Sequence, residues 1–165
     1  MDRLILIRHG KAEADSASGD DIDRRLAPRG LRETADMAAH LADMGFSPDV
    51  ALVSTSVRTR ETWEAAKSAF PGAEARFEPF LYLASSGTIR AAAEEAGRNC
   101  RSVMVVGHNP GLQELVVQLL QEGGAPATLI AQAQRNFPPA ASAVFLFDGN
   151  GRPHYDGLFI PGRHH

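Results

Sequence analysis

Arg8, His9 and Gly10 follow the apolar run Leu4-Ile5-Leu6-Ile7, so a cation, an imidazole and a glycine stand where a buried strand should end. Two other apolar runs end in chemically similar residues. Residues 50–53 lead into Ser54-Thr55-Ser56-Val57-Arg58, and residues 103–106 lead into Gly107-His108-Asn109-Pro110. In an open parallel sheet, ligands bind beyond the carboxyl ends of the strands. If the three strands are neighbours, Arg8, His9, Arg58 and His108 meet at one place. Two guanidiniums suit a phosphoryl dianion, because their planar forks match its oxygens and they stay charged. A neutral imidazole beside them can attack phosphorus and form a covalent phosphohistidine that water hydrolyses. His9 is the better nucleophile, since it adjoins Arg8 and neighbouring arginines favour its uncharged form. His108, with Asn109, would bind the phosphoryl oxygens as charge redistributes. Gly10 and Gly107 would allow close backbone approach or unusual dihedrals beside the ligand.

Each feature alone has a plainer reading. Arg8-His9-Gly10 would be a strand-end loop, Gly107-His108-Asn109-Pro110 a helix start, and Arg58 a solvated first-turn residue. Their repetition after three apolar strands is what favours a site. The other histidines fit the plainer reading: His40 on an exposed helix face, His154 in an edge hairpin, and His164-His165 as a terminal pair.

The elements that must hold these residues alternate along the chain. Residues 4–7, 50–53 and 103–106 read as buried parallel strands, because short continuous apolar runs suit a sheet covered on both faces. Residues 11–28 are polar and read as a loop. Residues 30–44 show helical spacing through Leu31, Ala35, Ala38 and Ala42, with Gly45 as the stop. Residues 58–70, 86–96, 110–120 and 128–134 are further helix candidates, and 76–80 is a weak strand. Asn109 is the expected N-cap and Pro110 the first helical residue, leaving free backbone N–H groups at the site. Residues 143–147 and 154–160 form a hairpin around Asp148-Gly149-Asn150-Gly151. The expected fold is a three-layer α/β/α domain over residues 1–165, with a mostly parallel sheet and an antiparallel edge hairpin.

Composition narrows the function. The 165 residues are 44% hydrophobic and 22% charged, as in soluble globular proteins. The net charge of -3 gives no general field for nucleic acid or an anionic membrane, so an anion site must be a local cation cluster. One cysteine, Cys100, cannot form an internal disulfide, and no run reaches membrane-spanning length. A cytoplasmic location is therefore expected. There is no histidine pair at helical ligand spacing, no cysteine cluster and no phosphate-binding glycine loop, so neither metal nor cofactor is expected. No heptad or apolar stripe speaks to oligomeric state.

These motifs resemble those of the histidine phosphatase superfamily, the phosphoglycerate-mutase-like fold, and within it the short SixA-type phosphohistidine phosphatases. Leu6-Ile7-Arg8-His9-Gly10-Lys11-Ala12 resembles the signature around the phosphorylated histidine. Asp23-Arg24-Arg25-Leu26-Ala27-Pro28-Arg29-Gly30 is similar to the segment opening the family's first helix. The stretch from Ser54 to Thr62 resembles that around the second phosphate-binding arginine, and Val105-Val106-Gly107-His108-Asn109-Pro110-Gly111 the second-histidine motif. Leu81-Tyr82-Leu83-Ala84-Ser85 and Phe137-Pro138-Pro139-Ala140 also resemble SixA-like segments. The resemblance implies His9 as nucleophile, with Arg8, Arg58 and His108 on the phosphoryl group.

One departure bears on substrate. Mutases and many acid phosphatases of the superfamily carry a glutamate general acid near the middle of the chain. Here that stretch is Tyr82-Leu83-Ala84-Ser85, without a carboxylate. An alkoxide leaving group needs a proton. An imidazole can arrive protonated and depart neutral. Phosphohistidine on a protein is therefore the expected substrate, and a small phosphate ester the alternative. Asp23, Glu78 and Asp156 are the candidate replacement acids, each also readable as a solvated charge. A short chain leaves little for a lid, unless residues 11–28 fold over the site. Outside enzymes, the remaining alternatives are a phosphate-recognition module without catalysis and, least favoured, a domain with no ligand.

Overall fold

A computed structural model describes residues 1–162; the terminal pair His164-His165 lies outside them. Six strands form one sheet: β1 (Arg3–Arg8), β2 (Val50–Ser54), β3 (Glu74–Glu78), β4 (Ser102–Gly107), β5 (Ser142–Phe147) and β6 (Pro153–Phe159). Their order is β3-β2-β4-β1-β5-β6. The first four in that order run parallel, and β5 and β6 add an antiparallel hairpin at the edge. The three strands with polar exits are adjacent, as the site requires.

The apolar runs of β1, β2 and β4 are buried on both faces, and successive side chains divide between two cores. Leu4, Leu6, Leu52, Val103 and Val105 pack with α3 (Ser86–Ala96), α4 (Gly111–Glu122) and α5 (Ala127–Arg135). Ile5, Ile7, Ala51, Val53, Met104 and Val106 pack with α1 (Pro28–Asp43) and α2 (Val57–Ala66). This is the expected three-layer α/β/α arrangement.

Several boundaries and faces differ from the sequence expectation. α1 starts at Pro28, whose fixed φ suits the first helical position. Its buried face is Gly30, Thr34, Met37, Ala38 and Leu41, while Leu31 is 44% exposed. The packing reason lies at Gly30: a Cβ there would stand 2.2 Å from the Lys11 carbonyl oxygen, so the helix crosses the chain through its one residue without a side chain. α2 stops at Ala66 and continues as one 3-10 turn, Lys67–Ala69. α4 starts at Gly111, so Pro110 stands at the N-cap position rather than opening the helix, and the Asn109–Pro110 peptide is cis. His40 is half-buried, edge-on to the Phe159 ring at 4.9 Å, not on a free face. His154 stays in the hairpin, where it meets the Asp148 carboxylate at 2.8 Å. The Asp148 carboxylate also accepts from the backbone N–H groups of Asn150 and Arg152, which closes the expected turn.

Candidate active site

Sheet register brings the two histidines together. Arg8 of β1 lies opposite Gly107 of β4, and the His9 N–H donates to the Gly107 carbonyl at 3.1 Å. The imidazole centroids of His9 and His108 are therefore only 5.4 Å apart. Arg58 enters from the first turn of α2, whose N-cap Ser56 accepts from the Thr59 N–H. Thr62 accepts from the Gly10 N–H at 3.1 Å and donates to the Arg58 carbonyl at 2.7 Å, tying the β1 exit to that turn. Arg8, His9, Arg58, His108 and Asn109 all line one cavity of about 340 Å³.

Hydrogen bonds fix the imidazole tautomers. His9 Nδ1 is 2.8 Å from the Gly10 carbonyl oxygen. A carbonyl only accepts, so Nδ1 carries the proton and Nε2 keeps a bare lone pair. His108 Nε2 is 2.8 Å from the Ser54 hydroxyl. Ser54 is fully buried, and among the described residues its hydroxyl has no other acceptor. The hydroxyl therefore donates to Nε2, and the His108 proton sits on Nδ1. Among the described residues that buried Nδ1 has no partner. It is a donor waiting for an acceptor.

Electrostatics favour neutral imidazoles. His9 is lowered to about 4, mainly by burial, against the opposing pull of the Gly10 carbonyl, with smaller contributions from Arg8, Arg58 and Arg24. The sequence expectation had the right direction but credited the arginines with what burial chiefly does. His108 is lowered to about 3 by burial first, then by His9 and Arg58. Burial and then Arg58 also lower Arg8. Such crowded cations are relieved by an incoming anion.

The site departs from expectation in three respects. The N–H groups at the start of α4 are not free: those of Leu112, Gln113 and Glu114 go to the His108 carbonyl, the Asn109 side chain and the Pro110 carbonyl. Asn109 still caps by side chain, while its amide donates to the Phe137 carbonyl at 2.9 Å, the same oxygen that Arg8 reaches at 3.2 Å. Gly107 has only ordinary contact with Leu112, at 3.6 Å, so its lack of a side chain is not required there. Gly10 does permit close approach, but to α1 rather than to a ligand: a Cβ would lie 2.6 Å from the Gly30 carbonyl.

The third departure is the carboxylate. Asp23 accepts from Ser18, Asp156 pairs with Arg3, and neither Glu78 nor these two lines the cavity. Asp21 does, together with Lys11 and Arg24. It belongs to a 3-10 turn, Asp21–Asp23, inside the segment expected to be a plain loop, which an Ala12–Leu26 bridge closes. Arg58 donates to the Asp21 carbonyl at 2.8 Å and to its carboxylate at 3.0 Å. The Tyr82 hydroxyl and the Arg24 Nε, the latter at 2.9 Å, also donate to that carboxylate. Asp21, Arg24 and Tyr82 escaped sequence reasoning because each stands among ordinary polar or exposed residues. Tyr82 in the SixA-like segment was the available signal.

Layered α/β architecture with two neutral histidines and two guanidiniums at adjacent strand ends defines a phosphoryl-handling protein. The family model for the histidine phosphatase superfamily (branch 1) matches residues 4–82. A candidate phosphohistidine phosphatase SixA from Agrobacterium tumefaciens is 30% identical, with a TM-score of 0.84 over 97% of this chain and 98% of that one. The protein histidine phosphatase SixA in complex with tungstate is 25% identical, with a TM-score of 0.76 over 96% and 97%. An uncharacterised protein of Mycobacterium tuberculosis is 32% identical over 87% of this chain and 89% of its own length. The chain belongs to the histidine phosphatase superfamily, in its SixA-type branch. It is thus a phosphohydrolase of that superfamily.

Proposed function

We propose that this phosphohydrolase cleaves phosphohistidine carried on proteins, through a covalent phospho-His9 intermediate and without a metal. One observation carries the reading: His9 holds its proton on Nδ1 against Gly10, leaving Nε2 bare among Arg8, Arg58 and His108. Nε2 attacks phosphorus, the P–N bond to the substrate imidazole breaks, and that imidazole departs with the bond's electron pair. The Gly10 carbonyl steadies the positive charge on the phosphorylated ring. Arg8 and Arg58 hold the phosphoryl oxygens, and His108 Nδ1–H supplies a further donor. Water then attacks phosphorus and gives up a proton to solvent, the P–N bond to His9 breaks, and inorganic phosphate leaves with the His9 lone pair restored.

Likeness to SixA proteins supports the substrate class. The test is to incubate the protein with a phosphohistidine peptide and with a panel of phosphomonoesters. Release of phosphate from the peptide, with an acid-labile, base-stable label trapped on His9, is the expected result. Turnover of esters with none of the peptide would replace the substrate class. Binding of phosphate without turnover of either would leave a recognition module instead.

A further inference from the structure

The stretch Tyr82-Leu83-Ala84-Ser85 carries no carboxylate, yet the cavity does not lack one. Tyr82, which stands in that stretch, donates its hydroxyl to Asp21 from a different loop. Among the described residues lining the cavity, Asp21 is the sole carboxylate. From these contacts we propose that Asp21 is the proton donor to the leaving oxygen when a phosphate monoester of an alcohol occupies the site. This inference rests on the His9 mechanism above and extends it from P–N to P–O substrates.

The geometry supplies a switch in proton affinity. In the empty site Asp21 is held well below the usual carboxylate range, by the Tyr82 hydroxyl first and then by Arg24 and Arg58. Arg58 is the guanidinium that an incoming phosphoryl group needs. A bound dianion takes its N–H groups, so Asp21 loses a cation and gains an anionic neighbour. Both changes raise its proton affinity. The groups facing Asp21 are Arg24 on its own loop, Arg58 on α2 and Tyr82 beyond β3. Across the cavity stand Arg8, His9, Lys11 and His108. Substrate monoanion or solvent provides the proton once Arg58 is engaged.

The steps balance. His9 Nε2 forms a bond to phosphorus while the P–O ester bond breaks, and the departing oxygen takes that electron pair and the Asp21 proton. Asp21 is left as a carboxylate. It then takes a proton from the water that attacks phospho-His9. The P–N bond breaks, inorganic phosphate leaves, His9 is restored, and Asp21 gives its proton to solvent as Arg58 again donates to its carboxylate.

The test uses the full chain and a series of phosphomonoesters from 4-nitrophenyl to alkyl. In wild type, log kcat/KM should depend weakly on leaving-group pKa, because a proton arrives as the bond breaks. In Asp21→Asn the dependence should steepen, with a loss of about a hundredfold for the alkyl ester and far less for 4-nitrophenyl phosphate. Asp23→Asn, outside the cavity, should keep the wild-type slope. A second readout is kcat against pH for an alkyl ester: its basic limb, from loss of the donor proton, should vanish in Asp21→Asn. Parallel slopes in wild type and variant, whether the variant is slower or faster throughout, overturn the proposal. The slower case makes Asp21 a structural tether, and the faster case an anion that competes for Arg58. Neither disturbs the His9 reading, which would fail separately if His9→Ala retained turnover.

Discussion

The cavity has two walls of different construction. One is the set of strand exits with the first turn of α2, where His9 is 7% exposed, Arg58 2% and His108 2%. Their positions come from sheet register, and their charge states mainly from burial. The other wall is the loop from Lys11 to Arg24, where Lys11 and Asp21 are exposed and Arg24 half-buried. It is held by one 3-10 turn and by side-chain contacts to Arg58 and Tyr82. Groups that must meet phosphorus in one geometry sit on rigid elements. Groups that must yield to an entering ligand sit where solvent can replace their contacts. Reactivity should therefore depend on the strand wall and leaving-group preference on the loop wall.

The sharpest way to break that division is at the nucleophile. His9→Ala should lower turnover of a phosphohistidine peptide by at least about a thousandfold, as expected when the attacking group of a covalent mechanism is lost. Circular dichroism should stay native, because the β1 backbone pairing does not need the ring. Wild-type turnover in the variant would move the chemistry off the strand wall.

The two non-equivalent arginines provide the next test. Arg58→Lys keeps a charge but loses the fork, and should cost about a hundredfold in kcat/KM. Arg24→Lys, on the solvated wall, should cost only about a few-fold, because water screens and replaces it. Equal losses would show that both walls bind phosphate alike.

The strand wall was legible in sequence for a physical reason. Buried parallel strands stand out as apolar runs, and the residues just after each run must emerge at the same sheet edge. Arg8, His9, Arg58 and His108 were found that way. The loop wall was not. Asp21 lies among Asp15, Asp20 and Asp23, and composition cannot tell which carboxylate turns inward. That choice is made by Arg58 and Tyr82, 37 and 61 residues away in sequence. The face of α1 was misread similarly. Leu31 looked like core, but the close crossing at Gly30 sets the helix rotation and leaves it outside.

Ser54 tests whether the strand wall depends on tautomer as well as position. Its hydroxyl accounts for the His108 proton on Nδ1. Ser54→Ala frees the imidazole to place the proton on Nε2, where it no longer serves the phosphoryl group. Loss of one such hydrogen bond to a charged group, about 1.5 to 3 kcal/mol, corresponds to roughly ten- to a hundredfold in rate. Nitrogen-15 spectra should show His108 protonated at Nδ1 in wild type and at Nε2 or mixed in the variant. Ser54→Thr, which restores the hydroxyl, should recover the wild-type spectrum. An unchanged spectrum in Ser54→Ala would mean that the surroundings, not Ser54, select the tautomer.

The mildest expected effect is a flat response to pH, and its limits distinguish the walls again. Both histidines are depressed from an ordinary 6.5, His9 to about 4 and His108 to about 3. The nucleophile is neutral at every pH well above 4, so kcat/KM for phosphohistidine should carry no His9 ionisation between pH 5 and 8. It should fall as acidity rises through about 4, where Nε2 binds a proton and loses its lone pair. Stability carries the same sign. Between 6.5 and 4 the unfolded chain protonates these imidazoles while the folded chain does not, so folding should weaken progressively as pH drops through that window. Above 6.5 neither state binds those protons, and the contribution is constant. Thermal melts of wild type and His9→Ala at pH 7 and pH 5 measure this difference. The variant should lose less stability on acidification, since it lacks one imidazole that burial keeps neutral. An equal loss in both proteins would assign the acid sensitivity to groups outside the strand wall.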